Sequence, residues 1–131
     1  PLIYYPYGLQ SVAIRLKSAL QENAKMHVII EDVIESCHNG IVAWETDSVV
    51  QPILLQGFDD YIKTKERFLI IEQFFDDQQI DFLSVTSIAG NILSKIISLI
   101  YLFDYTSIYR AILSKTDPSP VKSIDYIKRK I

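Results

Sequence analysis

At 131 residues, with 49% hydrophobic and 22% charged side chains, the chain has the composition of one globular domain rather than of a disordered segment. Its formal net charge of −3 gives no general attraction to nucleic acid or anionic lipid, and its single cysteine excludes an internal disulfide and favours a reducing compartment. The first residue is Pro1 rather than an initiator methionine, so residues 1–131 read as a single domain belonging to a larger or processed chain.

In chain order, "PLIYYPY" (Pro1 to Tyr7) carries two prolines and three tyrosines and reads as an ordered or docking arm. From Gly8 onward Val12, Leu16, Ala19, Asn23, Met26, Ile30, Val33 and Cys37 step alternately by four and three, widened by Ala13, Leu20, His27 and Ile34. This heptad seam predicts one long helix that runs to the turn at Asn39–Gly40. Ile41 to Asp47 then reads as a packed loop anchored by Trp44, the only tryptophan. A second helix is expected from about Ser48, interrupted by Pro52 and weakened by Gly57, with Leu54, Phe58, Ile62, Phe68, Ile71 and Phe75 at helical spacing.

The polar break at Asp76–Asp77, with Asp81, is acidic but lacks the alternating oxygen ligands and central glycine of a calcium loop, and reads as solvated surface. Val85 to Phe103 is expected to be an apolar core helix. The run Ser84–Phe103 is long enough to span a bilayer, but Asn91 and Lys95 and the helical spacing of Ile88, Ile92, Ile96, Leu99 and Phe103 favour a core face over a membrane span. A further helix is expected over Ser107–Leu113, then a break at "KTDPSP". The last helix carries Val121, Ile124, Ile127 and Ile131 on one face, and its basic end (Lys122, Lys128, Arg129, Lys130) complements the helix dipole. The fold class that results is all-α: an elongated helical bundle with one long N-terminal helix and about four others.

Cys37 and His38 raise the question of a nucleophile and its base. On one helix their side chains would point about 100° apart, and His27 would lie three turns away, so Cys37 reads as packing on the apolar seam rather than as a reactive thiol. The chain has no phosphate-binding glycine loop, HExxH, CxxC or GxSxG pattern. With four glycines, two histidines and one cysteine, it points to no catalytic, cofactor-binding or metal-ligating residue. The expectation is therefore a non-enzyme.

The stretch "YGLQSVAIRLKSALQENAKMHVIIEDVIESCHNG" resembles a long helix of the gamma-tubulin complex proteins, the grip-motif family. "LLQGFDDYIKTKERFLIIEQFF" is similar to that family's next helix, through Leu55, Gln56, Tyr61 and Ile62. "GNILSKI" and "SIYRAILSKTDPSPVKSIDYIKRKI" are similar to its closing helices, with Tyr126–Ile127 as the aromatic-Ile pair. This chain has Tyr126 where the family usually has tryptophan, and Ile41 to Ile53 resembles an insertion. The resemblance implies a fragment of the N-terminal grip region, a non-catalytic scaffold that packs laterally against neighbouring gamma-tubulin complex subunits to template microtubule nucleation. It implies a cytoplasmic, cytoskeletal location at the microtubule-organising centre, and partners that are proteins rather than nucleic acid, membrane or a small-molecule substrate. The alternative reading is a free-standing helical adaptor that takes a partner helix in a hydrophobic groove.

Overall fold

A computed structural model describes every residue, 1–131. Four short strands, β1 (Leu2–Tyr5), β2 (Ile29–Asp32), β3 (Pro52–Gln56) and β4 (Leu83–Thr86), form one parallel sheet in the order β2-β1-β3-β4. The helices are α1 (Gln10–Ala24), α2 (Val33–Ser36), α3 (Ile62–Asp77), α4 (Ile92–Leu113) and α5 (Lys122–Lys128), with 3₁₀ turns at Tyr7–Leu9 and Gly40–Glu45.

Side chains alternate across a strand, so each strand feeds two cores. Ile3, Tyr5 and Leu55 point to one face, where α1 (Val12, Leu16, Leu20) and α4 (Leu99, Phe103, Ala111) cover them. Leu2, Tyr4 and Leu54 point to the other, against α3 (Phe68, Ile71, Phe75) and Trp44. Within the second core the Trp44 indole N–H donates to the Tyr4 phenol oxygen at 2.7 Å, and the Trp44 ring stands edge-on to Phe75.

The all-α expectation is overturned: the chain is α/β. The arm at Pro1–Tyr7 contains the central strand, all of whose residues are buried. The expected long helix stops at Ala24, where Lys25 turns left-handed (φ 55°) and the amides of Lys25 and Met26 both donate to the Leu20 carbonyl. Ile30 and Val33 therefore leave the supposed seam, Ile30 entering β2 and Val33 opening α2. Pro52 does not interrupt a helix but opens β3, at the strand's first residue, the position that tolerates a missing N–H. Leu54 belongs to that strand, while Val85 belongs to β4. The helices expected at Val85–Phe103 and Ser107–Leu113 are one continuous α4. Phe68, Ile71 and Phe75 do lie on one buried face of α3, which ends at the acidic break.

The physical reason for the misreading is length. Parallel strands of four or five residues, covered on both faces, show continuous apolar runs instead of alternation. Spliced to their neighbours, such runs satisfy a three-four spacing by accident.

Tyr4 is fully buried, and burial pushes its phenol up to about 12, partly offset by the Trp44 bond and reinforced by Glu31. Tyr4→Phe strands the indole N–H and Trp44→Phe leaves the phenol short of a donor. Each is expected to cost about 1–3 kcal/mol in denaturant unfolding, with the double variant costing less than the sum of the two.

Candidate active site

After β1 the chain turns to α1 on one face of the sheet, and after β3 it turns to α3 on the other. The two loops therefore part in opposite directions at the C-terminal edge, the arrangement that opens a ligand crevice in parallel α/β sheets. One wall is Pro6–Leu9. The helical turn beginning at Tyr7 runs directly into α1, and Pro6 ahead of it supplies no side-chain cap. α3 likewise starts at Tyr61 without a side-chain cap. Helix starts of this kind leave amide N–H groups for a ligand anion to use.

The other wall is Gly57–Asp60, held by a set of mutually consistent bonds. The Gly57 amide donates to Asp60 Oδ2 at 2.6 Å, and a side chain at position 57 would run into that carboxylate. The Phe58 amide donates to Ser87 Oγ at 3.0 Å, and the Ser87 hydroxyl donates onward to the Ile88 carbonyl at 3.1 Å. Lys65 Nζ donates to the Phe58 carbonyl at 2.9 Å. Asp59 is ion-paired with Lys95, which lies in the first turns of α4 and is only 8% exposed. Gly90, at φ 136°, makes the turn into α4, where the Asn91 side chain accepts from the Ser94 amide. The loops after β3 and β4 are thus joined by Ser87 and by Lys95, and Tyr7, Phe58 and Tyr61 stand exposed around them.

One strand over, Glu31 lies near the C-terminal end of β2, in register with Tyr4. Its carboxylate fills the space that a side chain at Gly40 would occupy. Partial burial raises its pKa from the ordinary carboxylate value, and the neighbouring Glu35 adds to the rise. Asp32 beside it is committed to structure, since it accepts from the amides of Ile34 (2.9 Å) and Glu35 (3.3 Å) to start α2. A partly buried carboxylate not spent on a cap is suited to moving a proton.

The residues weighed from sequence fall elsewhere. Cys37 is exposed rather than packed on a seam. Its thiol donates to the Val33 carbonyl at 3.1 Å, and partial desolvation raises its pKa, so it is not a thiolate. His38 follows β2 and His27 precedes it, which puts the two histidines at opposite edges of the sheet. Asp76 and Asp77 end α3 and Asp81 lies between α3 and β4, at the edge away from the crevice. Glu31, Ser87, Asp59 and Lys95 were not singled out as a site. The one signal for them was Lys95, a lone cation inside an apolar helix.

Residues 1–131 match the family described as the bacterial phospho-glucose isomerase C-terminal SIS domain. The chain is 32% identical over 136 aligned residues to a bifunctional phosphoglucose/phosphomannose isomerase of Caldicellulosiruptor bescii, covering 100% of the chain and 40% of that protein. It is 26% identical over 134 residues to the enzyme of the same name from Aquifex aeolicus, covering 100% of the chain and 42% of that protein. The chain therefore spans about two fifths of the length of these curated relatives. A crystal structure of a glucose-6-phosphate isomerase like protein from Thermus thermophilus shares the fold with a TM-score of 0.68 at 19% identity, over 89% of this chain and 40% of that one.

These matches overturn the gamma-tubulin resemblance and what it implied. A non-catalytic microtubule scaffold, gamma-tubulin complex partners, and a cytoskeletal location at the organising centre all fall with it, because the matching family is bacterial and is named for an isomerase. The helical-adaptor alternative falls too, since no all-helical groove exists in an α/β sandwich. The expectations of no enzyme and no small-molecule substrate are corrected in the same way, the relatives being sugar-phosphate isomerases by name. The absence of a glycine-rich loop was a poor ground for excluding phosphate chemistry, because helix starts and hydroxyl-bearing loops can hold an anion without one.

Because its carboxyl is raised, Glu31 binds a proton more tightly in the folded chain than in the unfolded one. Its contribution to stability is present below the unfolded value of about 4.3 and is lost as pH rises through the folded value. Glu31→Gln is therefore expected to raise Tm at pH 7, with the gain vanishing below about pH 4. Thermal unfolding at the two pH values checks it.

Proposed function

The chain belongs to the family of bacterial phospho-glucose isomerase C-terminal SIS domains, and from that premise we propose that it forms part of an isomerase acting on phosphorylated hexoses. The observation that carries the reading is the match over residues 1–131, together with relatives named phosphoglucose/phosphomannose isomerase. Interconversion of an aldose phosphate and its ketose needs a ring-opened sugar, a base that removes the C2 proton, delivery of a proton to C1, and proton movement between the two oxygens through an enediol. None of these steps requires a metal or a redox group.

In this reading the crevice between the β1 and β3 loops takes the substrate. The uncapped helix starts at Tyr7 and Tyr61 offer amides to the phosphate, and the Tyr7, Phe58 and Tyr61 rings offer apolar faces to the sugar. The ion pair between Lys95 and Asp59 and the Ser87 bonds hold the Phe58 loop in place. Glu31 is the base, its raised carboxyl bringing it nearer to the pH at which it must accept and return a proton.

The test follows glucose 6-phosphate and mannose 6-phosphate in D2O by proton NMR, with the full-length protein. Fructose 6-phosphate is expected to form, with deuterium appearing at C2 of the recovered aldose. No conversion of either sugar would overturn the reading. Glu31→Gln is expected to lower kcat by about 10²–10⁴-fold with KM little changed. Activity within a few-fold of the unsubstituted protein would remove Glu31 as the base while leaving the family's reaction intact.

A further inference from the structure

The segment after α4 is tied to the rest of residues 1–131 by one side chain. α5 (Lys122–Lys128) has seven residues, none of them buried, and no side-chain cap at its start. A helix of that length is marginal in water on its own hydrogen bonds. No ion pair joins residues 117–131 to the remainder, and every hydrogen bond between the two comes from the Lys25 ammonium. Lys25 stands where α1 ends, in the left-handed conformation at φ 55°. From there its ammonium donates to three carbonyls: Glu22 at 2.6 Å, Pro120 at 2.8 Å and Pro118 at 3.4 Å. An ammonium carries three N–H donors, so the set is complete. The first bond satisfies an orphan carbonyl in the last turn of α1, and the other two reach across to the bend that leads into α5. Pro118 and Pro120 have no N–H, and the Ser119 amide between them is spent on Asp117 Oδ1 at 2.9 Å. The bend therefore offers Lys25 acceptors and no competing donor.

We propose that Lys25 is a latch and residues 117–131 a strap, helical and closed against the end of α1 only while the ammonium holds the bend. Neither of the usual anchors of a terminal helix is present, since α5 buries no residue and forms no ion pair with the body. A left-handed turn alone is served at lower cost by glycine, whereas lysine adds the ammonium. The strap is also one wall of a cleft of about 690 Å³, with Ser18, Gln21 and Glu22 of α1 facing Pro120, Lys122 and Ser123. Unlatching removes that wall, so the state of a single side chain at the end of α1 decides whether the cleft exists. The same ammonium caps α1 through Glu22, which couples the helix end to the strap. The proposal rests on these bonds and does not depend on the isomerase reading.

Hydrogen–deuterium exchange of the full-length protein, read by mass spectrometry, separates the latch from the turn. Lys25→Gly removes the ammonium while making the left-handed helix end easier to form. It is expected to raise exchange by about tenfold or more at the strap amides of Asp125, Arg129 and Lys130, which are hydrogen-bonded within the segment, and to leave α1 and α4 unchanged. Lys25→Met keeps the length of the side chain without its charge and is expected to release the strap in the same way. Tryptic cleavage after Lys122 is expected to accelerate in both variants. Unchanged exchange of the strap in Lys25→Gly would overturn the proposal, because the segment would then be held by something other than the ammonium. A rise shared equally by α4 would overturn it too, as the sign of a general loss of stability rather than of a released strap.

Discussion

The structure depends on one strand. β1 is hydrogen-bonded along both edges, to β2 and to β3, and is covered on both faces, so none of Leu2, Ile3, Tyr4 or Tyr5 is more than 8% exposed. A parallel neighbour cannot be reached by a tight turn, and each pairing with β1 therefore requires a crossover that leaves the sheet and returns. The two cores are the consequence. Alternate residues of four consecutive positions nucleate opposite faces, and each helix layer is held in place by side chains that project from the same short segment.

The same constraint creates the crevice. With β1 in the interior and its two partners on either side, the chain must leave β1 and β3 toward different faces, and the space between the departing loops is not filled by either. What fills the surroundings is polar and bonded: Ser87 to Phe58, Asp60 to Gly57, Lys95 to Asp59. Core, crevice and outer surface meet in α4. Its buried flank serves the core through Leu99 and Phe103, its first turns reach the crevice through Lys95, and its outer flank is apolar and uncovered by residues 1–131.

Helix positions were legible wherever the periodicity was long enough to be distinctive. Val12, Leu16, Ala19 and Leu20 on α1 and Phe68, Ile71 and Phe75 on α3 repeat over several turns, and Trp44 was recognisable as an anchor. The strands were not, because four residues are barely one helical turn: Ile30 and Val33 can be assigned to a seam as readily as to a strand edge. The decisive event was at Lys25, a left-handed helix end on a residue other than glycine or asparagine, which no local sequence rule announces. The same geometry recurs at Gln79 and Lys115, after α3 and α4. A helix that continues past Lys25 absorbs β2, and a sheet without β2 offers the remaining strands no visible partner. The crevice was illegible for the same reason, since the loops carrying Gly57 and Ser87 are brought together only by strand order. Sequence motifs for catalysis depend on fixed spacing, and these residues have none.

The bond between Trp44 and Tyr4 also makes the chain optically asymmetric. The only indole reports on the α3 side of the sheet, where it is 7% exposed and set against Phe75, while three neighbouring phenols mark the outer flank of α4 on the far side. Intrinsic emission excited at the indole band is therefore a local gauge of one core, whereas far-ultraviolet dichroism follows the helices of both layers. Where the two traces superimpose during unfolding, the layers on either side of β1 are released together; where they separate, the sheet holds one layer after losing its companion.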